Sequence, residues 1–521
     1  MSSVFPFRKA RRAGVIAVAS LMTLVSSARA QQPVPPAQVP PATLQLTMDQ
    51  AVTMALETNL GLKADRLNVG IASENVAGAR SAFHPQLRST FSRNSADQLP
   101  QNFTEGNAVV SSGSTSVSST VFQNLYWYGG GYQVSWQGNR NATTAALSPF
   151  NPRLGSSLSV AFSQPLLRNF KIDSNRFTLQ SAERSRRIAD LALEQRIAVT
   201  RNSVQQAYLS LIAAIEGLKV AQSNMDLAQE NLKNFRARVA VGVSADIEVI
   251  QAEAQAASNE EQVIVADAGI STAEDALRAL IVDPARPDFW QVHLEPADKI
   301  LADPRAIDVD GAVRNALANR LDLLAARRQQ EITALALTLG EDQLKPDVSL
   351  GLNYTAQGTG GTQFGYGTGF PPPIISRTDK GFGSVLGDTL GAAYPSWTTS
   401  VTFNYPLGLS AAKASLARTR LQQQQEDLNL KDLELQVAAS VRNAARDVQT
   451  NFKRVEATRK ALEATQRQLD AEQRKFGVGL STAFELQQRQ RDLAQARISE
   501  LNAEILYNRA LIAFERVQKI Q

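Results

Sequence analysis

The chain is predicted to combine a membrane β-barrel with a long α-helical coiled-coil barrel, built from two tandem repeats. Three features predict it: the sequence repeats itself, each repeat holds a long proline-free helical stretch with an apolar heptad, and each holds alternating strand patterns between two prolines. The repeat is direct. Ala51, Val52, Ala55, Leu56, Leu60, Leu62, Ala64, Arg66 and Pro85 recur at one constant offset as Ala312, Val313, Ala316, Leu317, Leu321, Leu323, Ala325, Arg327 and Pro346. A second block pairs Val241-Gly242-Val243-Ser244 with Val478-Gly479-Leu480-Ser481, and Glu248 and Gln251 with Glu485 and Gln488. Residues 49–87 thus match 310–348, and 204–257 match 441–494. A duplicated chain builds a quasi-symmetric object.

Residues 1–30 read as a secretory signal: Arg8, Lys9, Arg11 and Arg12 precede the apolar run Val15–Val25 and the small-residue site Ala28-Arg29-Ala30. That run is too short to span a bilayer. Residues 31–46 form a leader whose Pro33, Pro35, Pro36, Pro40 and Pro41 favour extended, polyproline-like backbone. The first repeat then occupies 47–283, a linker 284–307, and the second repeat 308–521. Thr47 opens an amphipathic helix running from Met48 to Ala82, and its copy begins near Asp308–Asp310; side-chain oxygens at such starts cap free amides.

Past Pro85 and Pro346 the pattern changes period. Leu87 and Phe91 flank Arg88 and Thr90, and Leu158, Val160 and Phe162 alternate with Ser157, Ser159 and Ser163. In the second repeat Val348, Leu350, Leu352 and Tyr354 alternate with Ser349, Gly351, Asn353 and Thr355, and Trp397, Val401, Phe403 and Tyr405 with Thr398, Ser400, Thr402 and Asn404. Such alternation suits a barrel wall with lipid on one side and water on the other. A half-buried soluble sheet gives the same alternation. The export signal, the lack of an apolar run long enough for a spanning helix, and Tyr126, Trp127, Tyr128, Trp397 and Tyr405 near strand ends favour the membrane. The Gly-, Ser- and Asn-rich stretches Ser95–Ser114 and Gln357–Ser396 read as outer loops. Thr115–Tyr126 and Tyr132–Asn141, joined by Gly129-Gly130-Gly131, read as an extra hairpin of the first repeat, which either enters the barrel or projects above it.

The long helices follow. No proline occurs from Leu166 to Asp283 or from Leu407 to Gln521, and both stretches are rich in Ala, Gln, Glu, Arg and Leu. Ile197, Val204, Leu211, Leu218, Met225, Leu232 and Val239 step by a heptad, with Tyr208 and Ile215 between them; Val441, Val448, Val455, Leu462, Leu469 and Phe476, with Phe452, form the second seam. Each stretch is interrupted once, at Gly242 and at Gly477/Gly479, which marks the tip of a helical hairpin.

Composition narrows function. Cysteine is absent, which excludes disulfides, a lipid-modified N-terminal cysteine and thiolate chemistry. His84 and His293 are the only histidines, too few for a histidine metal cluster, and His84 precedes Pro85 as a turn residue. The net charge of +5 belongs to the signal, because residues 1–30 hold five of the 54 Lys and Arg and none of the 49 Asp and Glu. Nucleic-acid binding therefore has no electrostatic support. Neither a Gly-x-x-x-x-Gly-Lys phosphate loop nor a nucleophile-and-acid constellation is present, so no catalytic site, metal or cofactor is expected.

The order of signal, helix, proline, strands, proline and long hairpin with a Val-Gly-x-Ser tip, the repeated part occurring twice, resembles the TolC-like outer membrane efflux proteins over essentially the whole mature chain. Gln164-Pro165-Leu166-Leu167 and Tyr405-Pro406-Leu407, at the crossings from strand to helix, add to the resemblance. It implies a homotrimer in the outer membrane of a Gram-negative bacterium, with four strands per chain pooled in one twelve-stranded barrel and the helices forming a periplasmic tunnel. Four strands cannot close alone, because open edges would present unpaired backbone groups to lipid. It further implies passive export in a tripartite efflux or type I secretion system, with a periplasmic adaptor protein as direct partner and an inner membrane pump behind it. The adaptor would dock at the tips, Val241, Gly242, Val243 and Ser244 and Val478, Gly479, Leu480 and Ser481. Glu485 takes the position of the family's acidic constriction ring, and Gln488 stands one turn on, where the family often has a second acid. Read from the residues without the resemblance, the rival is a soluble periplasmic coiled-coil scaffold or adaptor, which the strand alternation disfavours.

Overall fold

The structure, a computed structural model, describes residues 43–101, 105–106, 108–242, 245–298, 302–369, 372–405, 407–408 and 410–518. The signal, most of the leader and the tip residues Val243 and Ser244 lie outside the described residues. In chain order the elements are β1 (Thr43–Leu46), α1 (Met48–Thr58), α2 (Leu60–Ser81), β2 (Gln86–Gln98), β3 (Val110–Asn124), β4 (Gly131–Thr143), β5 (Phe150–Pro165), α3 (Ser174–Ala240) and α4 (Asp246–Ile281). There follow β6 (His293–Pro296), α5 (Val309–Asn319), α6 (Leu321–Asp342), β7 (Asp347–Tyr366), β8 (Ile374–Lys380), α7 (Phe382–Leu390), β9 (Tyr394–Asn404), α8 (Ser410–Gly477) and α9 (Ala483–Gln518).

Thr47 caps α1 as expected, in a reciprocal box in which its hydroxyl accepts from the Gln50 amide and the Gln50 side chain accepts from the Thr47 amide. Asp308 caps α5 by accepting from the Gly311 amide at 3.0 Å. The single helix expected from Met48 to Ala82 is corrected to two. Asn59 leaves helical geometry at ψ 119°, closes α1, and caps α2 by accepting from the Leu62 amide at 3.0 Å. The second repeat breaks at the same place, where Arg320 has ψ 129° and its guanidinium reaches back to Asp322 at 2.7 Å.

Each repeat builds its own core on this pattern. Ala51, Val52 and Ala55 of α1 pack with Val204, Tyr208 and Leu211 of α3 and with Leu277 and Ile281 of α4. Ala312 and Ala316 of α5 pack likewise with Val441, Ala445 and Val448 of α8 and with Ala503, Tyr507 and Phe514 of α9. Small alanines on the short helices let the long ones approach closely, and the heptad seams are buried at Val204 and Leu211 and at Val441, Val448 and Val455, and half-buried at Leu218, Met225 and Leu462. At 1.5 Å per residue the 67 residues of α3 and the 68 of α8 each run about 100 Å. Among the described residues no helix is long and apolar enough to cross a membrane.

The end of the leader and the linker meet as a two-stranded parallel sheet, β1 with β6. Tyr208 holds it to the helices: its hydroxyl oxygen lies 2.9 Å from both the Leu46 carbonyl and Asp298 Oδ2. Arg278, buried, donates to the Val292 carbonyl and pairs with Glu274, which in turn accepts from the Leu294 amide.

The large sheet joins the repeats. Its order is β2-β3-β4-β5-β7-β8, with β9 also paired to β7. Every pairing is antiparallel, and β8 and β9 take different stretches of the same edge of β7. Four strands per chain were expected; among the described residues six long ones share the sheet, because β3 and β4 are full members of it. The expected outer loops shrink accordingly. Much of Ser95–Ser114 belongs to β2 and β3, and Gln357–Ser396 contains the end of β7, then β8, α7 and the start of β9. Ser and Gly satisfy a ladder with backbone alone, so loop-like composition does not prevent pairing. At the inner end Asp342, buried, accepts from the Asn169 amide at 2.6 Å and pairs with Lys345, and Arg168 meets Asp347 at 2.6 Å, so the crossings from helix to strand are locked across the repeats.

Candidate functional site at the hairpin tips

The tips of the two helical hairpins lie side by side. Phe235 of α3 meets Phe476 of α8 edge to face at 5.8 Å between centroids, and the Arg238 guanidinium sits 4.5 Å over the same Phe476 ring. Ala252 and Ala483 close a small apolar core around this contact, and Leu469, Leu486 and Leu493 continue it within the second hairpin. The tips therefore act as one platform in each chain.

Gly242 and Gly479 make the turns with φ of +74° and +77°, a left-handed conformation that side chains disfavour. The space around both is open, since nothing lies within 4 Å of an added Cβ. In the second tip Ser481 donates to the Glu472 carboxylate, which holds that acid below the ordinary carboxylate range, with Lys475 3.7 Å away. Thr482 caps α9 by accepting from the Glu485 amide at 3.2 Å. Ser481 thus fastens the turn back onto α8.

What the platform presents outward is apolar. Val478 is 71 % exposed, Leu480 78 % and Phe484 57 %, and Val241, Ile247 and Ile250 are exposed on the first hairpin. Val241, Val478 and Leu480 were among the expected tip residues; Ile247, Ile250 and Phe484 were not. Ile247 and Phe484 occupy equivalent positions of the repeat, and their apolar character at the start of a helix that otherwise opens with acids was the available signal. Solvent-exposed large apolar side chains grouped at one end mark a contact surface.

Glu485 stands exposed in the first turn of α9, and Glu248 is half-buried in the first turn of α4. Gln488 is engaged along its own helix: it donates to Asp492 at 2.9 Å and accepts from Arg491 at 2.9 Å. Just beyond, Asn224, Asn259 and Gln487 are buried where the two hairpins face each other around a cavity of about 300 Å³, and Asn231 of the first hairpin donates to Gln490 of the second at 2.7 Å. This layer of amides lies beside the apolar seam, which carries Leu218, Met225 and Leu232 past this level. Among the described residues no group of three or more His, Asp or Glu is placed to hold a metal ion.

A family model described as outer membrane efflux protein matches residues 51–281 and 312–517, one stretch in each repeat. Among solved structures, the chain is similar to the outer membrane protein VceC of Vibrio cholerae, with 15 % identity over 91 % of this chain and 97 % of that one and a TM-score of 0.63. It is similar also to the outer membrane channel CmeC of Campylobacter jejuni, with 14 % identity over 91 % and 85 % and a TM-score of 0.61. The open-state MtrE outer membrane channel of Neisseria gonorrhoeae gives 16 % identity over 90 % and 88 % and a TM-score of 0.61. A search of curated protein sequences finds no match.

Proposed function

The chain belongs to the outer membrane efflux protein family, and from that premise we propose that it is the outer membrane duct of a tripartite efflux or type I secretion system. In this reading three copies pool their sheets into one barrel, and their helices form the periplasmic tunnel. Cargo passes without a catalytic step or a cofactor, and the driving energy comes from an inner membrane pump reached through a periplasmic adaptor. The observation that carries the reading is the sheet itself. One of its faces carries Leu87, Phe91, Val117, Val160, Leu352, Tyr354, Trp397, Val401 and Phe403, all exposed in the single chain, whereas the opposite face is mostly Ser, Thr, Asn and Gln, with Arg88 over the Phe122 ring among them. A soluble scaffold would hold such a face against something; lipid outside and water inside satisfy both faces.

The tip platform is the docking site for the adaptor in this proposal, and the exposed Val478, Leu480 and Phe484 are its contact residues. Glu485 from three chains would ring the tunnel mouth and concentrate negative potential there. Gln488, already committed to Asp492 and Arg491, adds no charge to that ring. The test of the duct is fractionation followed by electrophoresis without heating. A heat-modifiable trimer in the outer membrane fraction, resistant to salt washing, is expected; a monomer released by salt overturns the proposal.

A further inference from the structure

The hairpin β3–β4 lies inside the sheet, between β2 and β5. We infer that it is part of the membrane wall, so that each chain supplies six long strands and three chains close a barrel of eighteen; this rests on the proposed shared barrel.

Four observations carry the inference. First, the hairpin is long enough: β3 has 15 residues and β4 has 13, against about ten needed for a tilted membrane strand. Second, it is inserted in the middle of the sheet. β2 pairs with β3 from Gln86↔Phe122 to Gln98↔Val110, β3 with β4 from Asn124↔Gly131 to Ser112↔Thr143, and β4 with β5 from Gly131↔Ser163 to Asn141↔Arg153. β2 and β5 therefore have no ladder to each other, and lifting the hairpin out would leave two open edges in lipid. Third, it continues both faces in register. Across the wall Phe91 meets Val117, Val121 meets Val134, Trp136 meets Leu158 and Val160 meets Tyr354, while on the other face Ser118 meets Gln137 and Ser135 meets Ser159. A one-residue slip anywhere would have exchanged the faces. Fourth, its inner turn is built into the crossings from helix to strand: Gln123 and Asn124 donate to the Phe83 and Ala82 carbonyls, Tyr126 packs on Phe83 at 5.4 Å and Tyr128 stacks on Phe170 at 4.8 Å.

Closure also favours it. The strands alternate in direction along the path from β2 to β9, and a hairpin adds two, so the exposed edges β2 and β9 still run antiparallel and can pair between neighbouring chains. One added strand would have broken this. Barrel diameter grows roughly linearly with strand number, so the outer opening would be about one and a half times as wide as that of a barrel with four strands per chain, in the size range of open aqueous porins.

The chain has no cysteine, so single-cysteine reporters can be read without background. In the full-length protein reconstituted in phosphatidylcholine vesicles, Ser118→Cys and Ser135→Cys should react with a charged, water-soluble thiol reagent at least about tenfold faster than Val117→Cys and Val134→Cys. A bimane label on the last two should be quenched by nitroxide lipids as strongly as one at Val160→Cys or Leu352→Cys. Polyethylene glycol added from the outer side should enter the pore up to a diameter about 1.5-fold that of a channel with four strands per chain. Rapid labelling of Val117→Cys and Val134→Cys without lipid quenching, while Val160→Cys and Leu352→Cys stay protected, overturns the inserted hairpin and leaves the duct standing. Rapid labelling at all four overturns the membrane barrel itself.

Discussion

Gly479 and Ser481 show how one residue can serve the tip by shape or by contact. Because Gly479 sits at φ +77° in open space, a side chain there is penalised by backbone conformation and not by crowding. Gly479→Asn should therefore retain adaptor binding and export, since Asn tolerates this conformation, whereas Gly479→Val should lose both. Leu480→Ser and Phe484→Ser leave the turn intact and should still weaken co-purification with the adaptor; unchanged binding in both would remove the apolar platform from the docking account. Glu485→Gln should reduce cation preference in planar-bilayer recordings, and Glu248→Gln, its repeat equivalent, should do much less. Equal effects would mean that the ring lies elsewhere. Tyr208 gives a pH signature of its own. Burial, aided by the neighbouring Asp298 carboxylate, pushes its phenol up to about 12 from about 10. The protonated form is the one the fold favours, so its contribution is complete below pH ~10 and is lost as pH rises through about 12. Tyr208→Phe should cost about 1–3 kcal/mol at neutral pH by stranding the Leu46 carbonyl and Asp298, and the gap in thermal stability from the parent should narrow between pH 10 and 12.

The paired hairpins depend on a few buried contacts at their far ends, because the rest of each seam is shared with polar faces. Phe235 is buried against Phe476 and Ala252, so Phe235→Ala should destabilise the tips by about 3 kcal/mol. Hydrogen exchange should report this as faster amide exchange confined to the ends of α3, α4, α8 and α9, with the cores around Val204 and Val441 unchanged. The amide layer at Asn224, Asn259 and Gln487 lies just inside that contact, and buried amides hold a coiled coil in register at a cost in stability. The short helices illustrate a different limit. Neither Asn59 nor Arg320 is a glycine or a proline, and apolar periodicity runs on through both, so the break was not legible; at Asn59 it is held by side-chain capping and by Thr58, whose hydroxyl lies 2.9 Å from the Ile281 carbonyl, and at Arg320, which makes no side-chain cap, by the ion pair with Asp322.

The assembled sheet explains why a chain this long carries so few large apolar cores. Its apolar face is left for lipid and its two edge strands, β2 and β9, are exposed along their length, which a single copy cannot satisfy. α7 adds to the apolar side: Val385 and Thr389 are buried against Gly358, Gly360 and Ser156, where the row of small residues lets the helix approach the strands. Gly358→Leu should dislodge it, since even a Cβ would lie 2.2 Å from the Val385 carbonyl. Faster proteolysis between β8 and β9, with the barrel otherwise intact, is the expected readout; unchanged cleavage would show that α7 is held by other contacts.

The repeat, the heptads and the period-two patterns were readable because each is a rule about spacing along the chain, and spacing alone decides which face of a helix or strand is apolar. Those rules were sufficient for two hairpins, their tips at Gly242 and Gly479, and a wall of strands in an outer membrane protein. They did not decide how many strands the wall holds. Val110–Asn124 is mostly Ser, Thr and Gly, a composition that serves a loop as well as a strand facing water. Only the ladders on both sides, pairing its thin line of Val117 and Val121 with Phe91 and Val134, distinguish the two. The same holds at the tips, where Glu485 and Gln488 look alike in sequence and differ because Gln488 faces Asp492 and Arg491 on its own helix while Glu485 faces solvent. Local periodicity sets what an element can be; which groups it finds opposite it depends on partners distant in the chain, and only the folded arrangement supplies those.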